Sequence, residues 1–301
     1  NYLNYFTEGP GRQLILKEGL YEISEPLIIP RGYKVIINEG VQINIINRAA
    51  FISYSTVCIK GTADKPVIIK SSDGTANGFS VFQASERSLV EYAVFDRLNT
   101  LDKDGWTLTG AVTFYESDVD FYNTSFQNNL CEDGLNIIRS DFVIDQCELI
   151  NTFSDALDVD FGTGTISNTE FRYLNNDGID VSGSDIKINH CFIRQSNDKG
   201  ISGGENSIVL VENTTIEGSE IGIASKDFSR VHALNCTIED CRYGIVVFRK
   251  KPEFGTASFI ASDLILNNVT TTYLIEEGST CTVDGIEIMA DKNEVYDMFY
   301  N

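Results

Sequence analysis

The chain has 301 residues, 42% of them hydrophobic, with 44 acidic and 23 basic residues and a formal net charge of −21. A charge of this sign and size argues against nucleic acid and anionic membrane surfaces as partners, because like charges repel. No stretch of 18 apolar residues occurs in the sequence, so no membrane insertion is expected.

The N-terminal part of the chain reads as short strands joined by turns. Residues 1–12 show no clear period and are predicted to form a cap or linker. From Leu14 to Ser71, β-branched runs are separated by glycine and proline at intervals of about eight to twelve residues, a spacing typical of strands and turns. No helical period appears in this region.

From Ala111 onward the chain repeats regularly. Small residues recur every 22 positions, and the positions one and three after each of them are mostly aliphatic, as a strand with one buried face requires. These small residues are Gly134, Ala156, Gly178, Gly200, Gly222 and Gly244. Further apolar columns share the spacing, so the sequence predicts three strands per coil in one all-β domain, a parallel β-helix (solenoid) with about 22 residues per coil.

The two ends of the repeat differ from its middle. After Gly244 an insertion, RKKPEFG, interrupts the period, which then resumes less regularly. Residues 291–301 are predicted to form a short helix that caps the C-terminal coil, because an uncovered coil exposes a sheet edge. The predicted organisation is a cap or linker over residues 1–12, the β-helix over residues 13–290 and a C-terminal cap over residues 291–301.

The seven cysteines are predicted to be buried free thiols. Cys147, Cys191 and Cys236 fall in one column of the repeat, two coils apart. At ~4.8 Å per coil their separation is roughly 9.6 Å, which is too long for a disulfide. Neither a disulfide framework nor a cysteine metal site is expected.

Acidic side chains collect on one face of adjacent coils. If the aliphatic positions of each first strand point inward, their neighbours point outward and stack from coil to coil. This outward set contains Asp133, Asp155, Asp158, Asp160, Asp177 and Asp180, followed by Lys199 and Lys226. Adjacent coils place carboxylates ~5 Å apart, where they can share a Ca²⁺ ion and raise one another's pKa values, as acid–base catalysis requires.

The coils ALDVDF, GIDVSGS and GIVVF resemble those of the pectate-lyase-like right-handed parallel β-helix superfamily, and the resemblance covers nearly the whole chain from residue 13. It implies a single-stranded, right-handed parallel β-helix with capped ends, a fold that hosts lyases, hydrolases, epimerases, adhesins and tailspikes. The segments LTGAVTFYESDVD and IGIASKDFS also resemble the β-helix module attached to CotH-kinase-like domains of bacterial surface proteins. This second resemblance implies further domains of the same polypeptide.

Three functions stay open, and the first is a Ca²⁺-dependent polysaccharide lyase that acts on a uronate-containing glycan. This is the activity that the pectate-lyase-like resemblance implies, with Ca²⁺ as the cofactor. The candidate metal ligands are Asp133, Asp155, Asp158 and Asp160, with Asp177 and Asp180 beside them. Lys199 or Lys226 is the candidate base that removes the proton from C5 of the uronate.

The second function is a glycoside hydrolase with paired aspartates. The segment NNDGID, residues 175–180, resembles the NTDGID coil of polygalacturonases, but the next coil reads NDKG and has Lys199 where that family has a second aspartate. A histidine expected on the following coil is also missing, since His190 falls in a turn column and His232 on another strand. An unrelated hydrolase that uses Asp155, Asp158, Asp177 and Asp180 stays open.

The third function is a non-catalytic glycan-binding or structural module, in which the aspartates belong to the repeat because Asp favours the turn before a strand. In each case a polysaccharide is the expected partner, in an extracellular, periplasmic or cell-surface location in bacteria. The candidate substrate-binding residues are Trp106, which can stack on a sugar ring, and Arg139, Arg249 and Lys250, which can bind an anionic sugar.

Overall fold

The structure of the protein, a computed structural model, describes residues 2–103, 105–290 and 292–300. The chain divides into two compact units, Asn1–Ser154 (unit 1) and Asp155–Asn301 (unit 2). Both units consist mainly of short strands, as the alternating, β-branched sequence predicts.

Unit 1 begins with a short 3₁₀ helix, Tyr2–Asn4, which is followed by strands β1 to β20. These strands are β1 Thr7–Gly9, β2 Gln13–Leu16, β3 Gly19–Ile23, β4 Leu27–Ile29, β5 Lys34–Asn38, β6 Val41–Ile45, β7 Phe51–Ser53, β8 Thr56–Lys60, β9 Val67–Lys70, β10 Phe79–Phe82, β11 Ser88–Glu91, β12 Ala93–Asp96, β13 Asp102–Lys103, β14 Trp106–Thr107, β15 Gly110–Tyr115, β16 Val119–Tyr122, β17 Ser125–Gln127, β18 Asp133–Ile138, β19 Asp141–Asp145 and β20 Glu148–Thr152.

Unit 2 contains strands β21 to β38 and ends in a short helix, α1 Asp297–Tyr300. Its strands are β21 Asp155–Asp160, β22 Thr163–Ser167, β23 Glu170–Leu174, β24 Ile179–Ser182, β25 Asp185–Asn189, β26 Phe192–Ser196, β27 Lys199–Gly204, β28 Ile208–Glu212, β29 Thr215–Glu217, β30 Ile221–Lys226, β31 Arg230–Leu234, β32 Thr237–Glu239, β33 Tyr243–Phe248, β34 Ser258–Ser262, β35 Ile265–Asn267, β36 Thr271–Ile275, β37 Thr280–Val283 and β38 Ile286–Ile288.

In both units each coil contributes one strand to each of three parallel sheets. In unit 2 the strand orders are β21-β24-β27-β30-β33-β36 in sheet I, β22-β25-β28-β31-β34-β37 in sheet II and β23-β26-β29-β32-β35 in sheet III. In unit 1 the corresponding orders are β4-β7-β10-β15-β18, β2-β5-β8-β11-β16-β19 and β3-β6-β9-β12-β17-β20. Antiparallel pairs are formed by β1 with β2, β13 with β14, and β37 with β38. The prediction of a parallel β-helix is confirmed.

The 22-residue period is most regular in sheet I of unit 2. Leu157 pairs with Ile179, Ile179 with Ile201, Ile201 with Ile223, and Ile223 with Ile245. The next partner of Ile245 is Tyr273, because the RKKPEFG insertion lengthens that coil. The register therefore follows the spacing of the small residues in the sequence.

The inward columns form the core, as their aliphatic composition predicts. Leu157, Ile179, Ile201, Ile223 and Ile245 are all fully buried. A Cβ atom at Gly200 would lie 2.5 Å from Cγ2 of Ile216 and 2.8 Å from the carbonyl oxygen of Gly222. Only glycine fits there, because the Ile216 side chain and the backbone of the next coil leave no space for a Cβ.

The prediction for the cysteines is also confirmed. All seven cysteines are buried free thiols. Asparagine side chains stack along the coils, since Asn235 Nδ2 donates to Asn213 Oδ1 at 2.8 Å, and Asn213 Nδ2 donates to Asn189 Oδ1 at 2.9 Å. Such ladders satisfy polar groups that turns leave outside the sheets.

Two parts of the outward face of sheet I are covered, although outward positions are polar and exposed by default. In unit 1, Leu101 and Leu108 pack over Phe82 and its neighbours. In unit 2, Val295 and Phe299 pack against a separate apolar cluster on β30, β33 and β36. The chain covers these positions with segments that are not part of the repeat, so alternation alone does not predict solvent exposure.

No helix in the described part of the chain is long and apolar enough to cross a membrane. The helix α1 lies within the segment predicted to cap the C-terminal end, and Phe299 on it contacts the ring of Tyr243 with 5.2 Å between centroids. The boundaries predicted for the two caps and for the β-helix between them stay predictions.

Candidate functional site

The charged residues singled out in the sequence meet on the outward face of sheet I in unit 2. Asp177 precedes β24, Asp180 lies on β24, Lys199 begins β27 and Lys226 ends β30. Small side chains separate them, because Asp180 pairs with Ser202, and Ser202 with Ala224. This part of the face has room for long side chains to converge.

Lys199 is held by two carboxylates. Its Nζ lies 3.3 Å from Oδ1 of Asp177 and also forms an ion pair with Asp198. The side chains of Lys199 and Asp177 are 3% and 4% exposed, whereas that of Asp198 is 30% exposed. Lys199 is therefore an enclosed cation within an ion network and not the open surface lysine that the outward register suggests.

Asp155 and Asp177 also perform the same structural task in successive coils. Asp155 Oδ1 accepts from the backbone N–H of Asp177 at 2.8 Å and from Asn176 Nδ2 at 2.6 Å. Asp177 Oδ1 accepts from the backbone N–H of Lys199 at 2.9 Å. Each carboxylate thus accepts from a backbone N–H of the next coil, at or just before the start of its sheet I strand, a bond that aspartate readily makes in a turn.

Lys226 reaches across one coil to Asp180. Its Nζ lies 3.7 Å from Asp180 Oδ1, and its Cε and Nζ pass beside Gly204, where a Cβ would meet them at 3.4 and 3.7 Å. The Lys226 side chain is 5% exposed and that of Asp180 is 26% exposed. In this ion pair, solvent therefore reaches the Asp180 carboxylate, whereas the Lys226 ammonium group is enclosed.

The RKKPEFG insertion brings Lys250 to the same cluster. Asp227 Oδ1 accepts from the backbone N–H groups of Lys250 at 2.7 Å and Lys251 at 2.9 Å, and Glu276 Oε2 accepts from the N–H of Arg249 at 2.7 Å. Asp227 and Glu276 are both buried. Two enclosed carboxylates therefore hold the inserted segment, and its half-buried Lys250 is close enough to interact electrostatically with Asp177, Asp180, Lys199 and Lys226.

The environment moves the pKa values of the two aspartates in opposite directions. Burial raises the pKa of Asp177 to about 6, with Lys199 opposing the shift and the charge of Asp180 adding to it. Burial also acts to raise the pKa of Asp180, but the Lys226 ammonium, the Ser202 hydroxyl and Lys199 outweigh it, so the pKa falls below its ordinary value. At a pH between the two pKa values, Asp177 is therefore protonated while Asp180 is ionised.

The pKa of Lys250 is lowered. Burial is the main cause, and the nearby positive charges of Lys226 and Lys199 add to it, whereas Asp180 and Asp177 act in the opposite direction. The cluster therefore contains three lysines in different surroundings, of which only Lys250 comes from outside the repeat.

The predicted calcium ligands do not assemble into an ion-binding cage. Among the residues that the structure describes, no group of three or more His, Cys, Asp and Glu side chains is arranged to hold a metal ion. Asp155 accepts amide hydrogens, Asp158 and Asp160 are half-buried on β21, and Asp133 is buried at the start of β18 in unit 1. The described residues do not form a site that fits Ca²⁺. Calcium binding stays a prediction.

The other predicted binding residues are Arg139, Arg249 and Trp106. Arg139, in unit 1, forms an exposed ion pair with Glu116 at 3.6 Å. Arg249 is exposed in the inserted segment. The backbone of Trp106 lies in β14, but its side chain is outside the described part of the structure, so its proposed contact with sugar stays a prediction.

Sequence reasoning missed Asp198, Asp227 and Glu276. Asp198 directly precedes Lys199, so its place in the ion network was readable from the NDKG segment. Asp227 and Glu276 bond to backbone groups 23 to 27 positions away, and no local pattern marks such partners.

Comparison with known proteins agrees with the fold. The family model described as "Right handed beta helix region" matches residues 133–288. No curated protein sequence matches the chain.

Two solved structures of the Streptococcus pneumoniae surface adhesin PfbA are similar to this chain. One is 10% identical with a TM-score of 0.53 and covers 91% of each chain; the other is 11% identical with a TM-score of 0.51 and covers 94% of this chain and 89% of that chain. An alginate lyase from Paenibacillus sp. str. FPU-7 is 11% identical with a TM-score of 0.44, covering 84% of this chain and 97% of that chain. The repeat, the three parallel sheets and the family match lead to one assignment: the chain belongs to the right-handed β-helix family.

Proposed function

We propose that this protein acts on a polysaccharide outside the cytoplasm and hydrolyses glycosidic bonds at the cluster of Asp177 and Asp180. The observation that carries the proposal is a pair of carboxyls on one short segment of chain, Asp177 enclosed and Asp180 partly exposed, whose pKa values are displaced in opposite directions. A glycoside hydrolase needs one protonated and one ionised carboxyl at the same pH.

Asp177 is the general acid in this mechanism. With a pKa of about 6, it carries a proton in mildly acidic solution and can deliver it to the leaving glycosidic oxygen. The backbone N–H and the ammonium group of Lys199 both donate to Oδ1 of Asp177, which holds this carboxyl in place.

Asp180 is the ionised partner. Lys226 and Ser202 hold its pKa low, and its side chain is the more exposed of the two, so substrate or water can reach it. It acts either as the base that activates water, which inverts the anomeric configuration, or as the nucleophile, which retains it. Lys226 lowers the pKa of Asp180, and the ion pairs with Lys199 and Lys226 hold the two carboxyls in position.

A lyase is the second candidate, and the lowered pKa of Lys250 favours it. A partly buried lysine near two other cations gives up its proton more readily, as a base that removes a C5 proton must. Lys199 and Lys226, the bases expected from the sequence, are enclosed in ion pairs with aspartates. Elimination at this site therefore uses Lys250, with a uronate as the substrate.

The products distinguish these activities. Incubation with a panel of plant, algal and bacterial polysaccharides is expected to release new reducing ends without the ultraviolet absorbance of an unsaturated sugar. Asp180→Asn is expected to abolish this release, and Lys250→Met to retain it. An unsaturated product that depends on Lys250 identifies a lyase, and polysaccharides that are bound but never shortened identify a non-catalytic module.

A further inference from the structure

Two exposed phenylalanines lie in the turns that follow sheet I in unit 2. Phe161 comes directly after β21 and is 59% exposed, and Phe228 comes two residues after β30 and is 50% exposed. Both have left-handed backbone conformations, with φ of 54° and 64°. Bulky residues seldom adopt this conformation, in which glycine, asparagine and aspartate are more usual.

Each ring rests on a glycine of a neighbouring segment. A Cβ at Gly183 would lie 2.7 Å from Cδ1 of Phe161, and a Cβ at Gly255 would lie 2.1 Å from Cε1 of Phe228. Phe254 adds an edge-to-face contact to Phe228, with centroids 6.2 Å apart. Both rings are therefore seated against the protein although half or more of each residue stays exposed, so their positions are set before any ligand arrives.

The first ring is next to the proposed catalytic strand. The backbone N–H of Phe161 donates to the carbonyl oxygen of Ser182 at 2.8 Å, and Ser182 is two residues after Asp180. Phe228 lies three coils further along the same turn edge, roughly 14 Å away at ~4.8 Å per coil. The edge can therefore contact several sugar units of a chain that passes Asp180.

The second ring lines a polar cleft of about 300 Å³. Its other lining residues include Asn206, Arg230, Thr256, Ser258 and Thr280, which supply amide, guanidinium and hydroxyl groups. A pyranose ring has an apolar C–H face and a rim of hydroxyls, so an aromatic ring among hydrogen-bonding groups suits both of its surfaces. The polar lining does not form the continuous apolar patch that a protein partner's hydrophobic core contacts.

We propose that Phe161 and Phe228 are stacking platforms of a glycan-binding subsite that extends the Asp177–Asp180 site along this turn edge. The proposal rests on the proposed function for its ligand class, an oligosaccharide chain, and adds where that chain lies. Phe161 is the cleaner position to test, because Phe228 also packs against the segment that carries Lys250.

The test is the binding of fluorescently labelled protein to a printed array of plant, algal and bacterial polysaccharides. Phe161→Ala is expected to weaken binding to the polysaccharide that the wild-type protein binds by roughly three- to tenfold, which is the contribution of one aromatic contact. Phe161→Tyr is expected to restore it. The matched control is Tyr173→Ala, because Tyr173 is also in a left-handed turn conformation and 56% exposed but lies on β23 in sheet III.

The outcomes separate this subsite from the hydrolysis itself. Weaker binding by Phe161→Ala with no cleavage by the wild-type protein supports the subsite and overturns the hydrolase. Cleavage that Asp180→Asn abolishes, together with unchanged binding and unchanged KM in Phe161→Ala, overturns the subsite and leaves the hydrolase. An equal loss in Tyr173→Ala, or a wild-type protein that binds no polysaccharide, also overturns the subsite.

Discussion

One outward column of sheet I has opposite characters in the two units. In unit 1 it contains three stacked aromatic rings, and in unit 2 it begins with small and charged residues. The unit 1 column is Tyr54, Phe82, Tyr115 and Ile138, with 5.6 and 6.2 Å between successive ring centroids. The unit 2 column is Asp160, Ser182, Gly204, Lys226 and Phe248.

The difference shows that the same position of a coil can serve stability or chemistry. In unit 1 the rings and the covering Leu101 fill the face with apolar contacts. In unit 2, Ser182 and Gly204 leave space that Lys226 crosses to reach Asp180. A β-helix can place either kind of residue in this column because the inward columns form a core in both units.

The largest expected effect is the loss of turnover in Asp180→Asn. The ionised carboxylate disappears while the shape is kept, so cleavage should fall roughly 10²- to 10⁴-fold. Release of reducing ends measures this loss. Asp158→Asn is the matched control, because Asp158 pairs with Asp180 in the same column and is also half-buried. A comparable loss in both variants contradicts the assignment of catalysis to Asp180.

Phe82→Ala tests the apolar side of the comparison. Phe82 is almost fully buried and contacts rings on both neighbouring coils, so its truncation should cost about 3–5 kcal/mol of unfolding free energy. Urea denaturation measures the cost, and turnover per folded molecule should be unchanged. Leu20→Ala, at a residue 79% exposed in unit 1, should change stability by less than about 0.5 kcal/mol. Lost turnover in folded Phe82→Ala contradicts a purely structural role for the aromatic column.

The pH dependence of turnover tests the charged cluster in unit 2. Asp177 must be protonated and Asp180 ionised, so activity should decline as the pH rises through about 6 and again as it falls below the ordinary aspartate value. Because Lys199 lowers the pKa of Asp177, Lys199→Met should move the alkaline limb to higher pH. Initial rates measured across pH 3 to 9, a span of roughly 6 units that contains both limbs, show the shift. An alkaline limb that stays in place contradicts the assignment of Asp177 as the acid.

The Asp177 carboxyl also makes a smaller, pH-dependent contribution to the unfolding free energy, and the direction of its pH dependence follows from the raised pKa. A carboxyl whose pKa is raised on folding favours the folded state below its unfolded pKa, and this advantage is lost as the pH rises through the folded value. Asp177→Asn should therefore gain about 1–3 kcal/mol relative to the wild-type protein between pH values of about 4 and 7. Urea denaturation at both pH values measures the change. A relative stability that does not change with pH contradicts the raised pKa.

The inward architecture was predictable from the sequence, whereas the state of the outward charges was not. The 22-residue spacing identified Leu157 and Ile179 as core residues, because burial on one face of a strand is a local alternation. The same register placed Lys199 on the outward face but gave no sign that it is 2% exposed. Its enclosure depends on the side chains packed around it, which alternation does not encode.

Function was harder to read because one residue type has two uses. Asp155, Asp158 and Asp180 look alike in the sequence, yet Asp155 caps a strand and Asp180 pairs with Lys226. Lys250 stands near the site only because Asp227 and Glu276 bind the backbone of its segment. These partners lie a full coil away, so the period predicts their proximity but not their hydrogen bonds.

The smallest expected effect concerns a column that is alike in both units. Cys147 Sγ, in unit 1, and Cys191 Sγ, in unit 2, each donate to the carbonyl oxygen two residues earlier, at 3.4 and 3.5 Å. Thr169 and Thr214 make the same bond at 2.7 and 2.8 Å. Cys147→Thr and Cys191→Thr should therefore each change the unfolding free energy by less than about 1 kcal/mol, as urea denaturation can show.

Valine variants at the two cysteines supply the control, because valine fills the space but cannot donate the hydrogen bond. They should be less stable than the threonine variants by about 1 kcal/mol in either unit, since the carbonyl oxygens of Asp145 and Asn189 lose the side-chain donor and keep only a backbone donor. Equal changes in unfolding free energy at residues 147 and 191 mean that this turn column is alike in the two units, which then differ at the outward face of sheet I. Unequal behaviour means that the turn columns also differ, and the aromatic and charged faces then cannot be compared as replacements on one common framework.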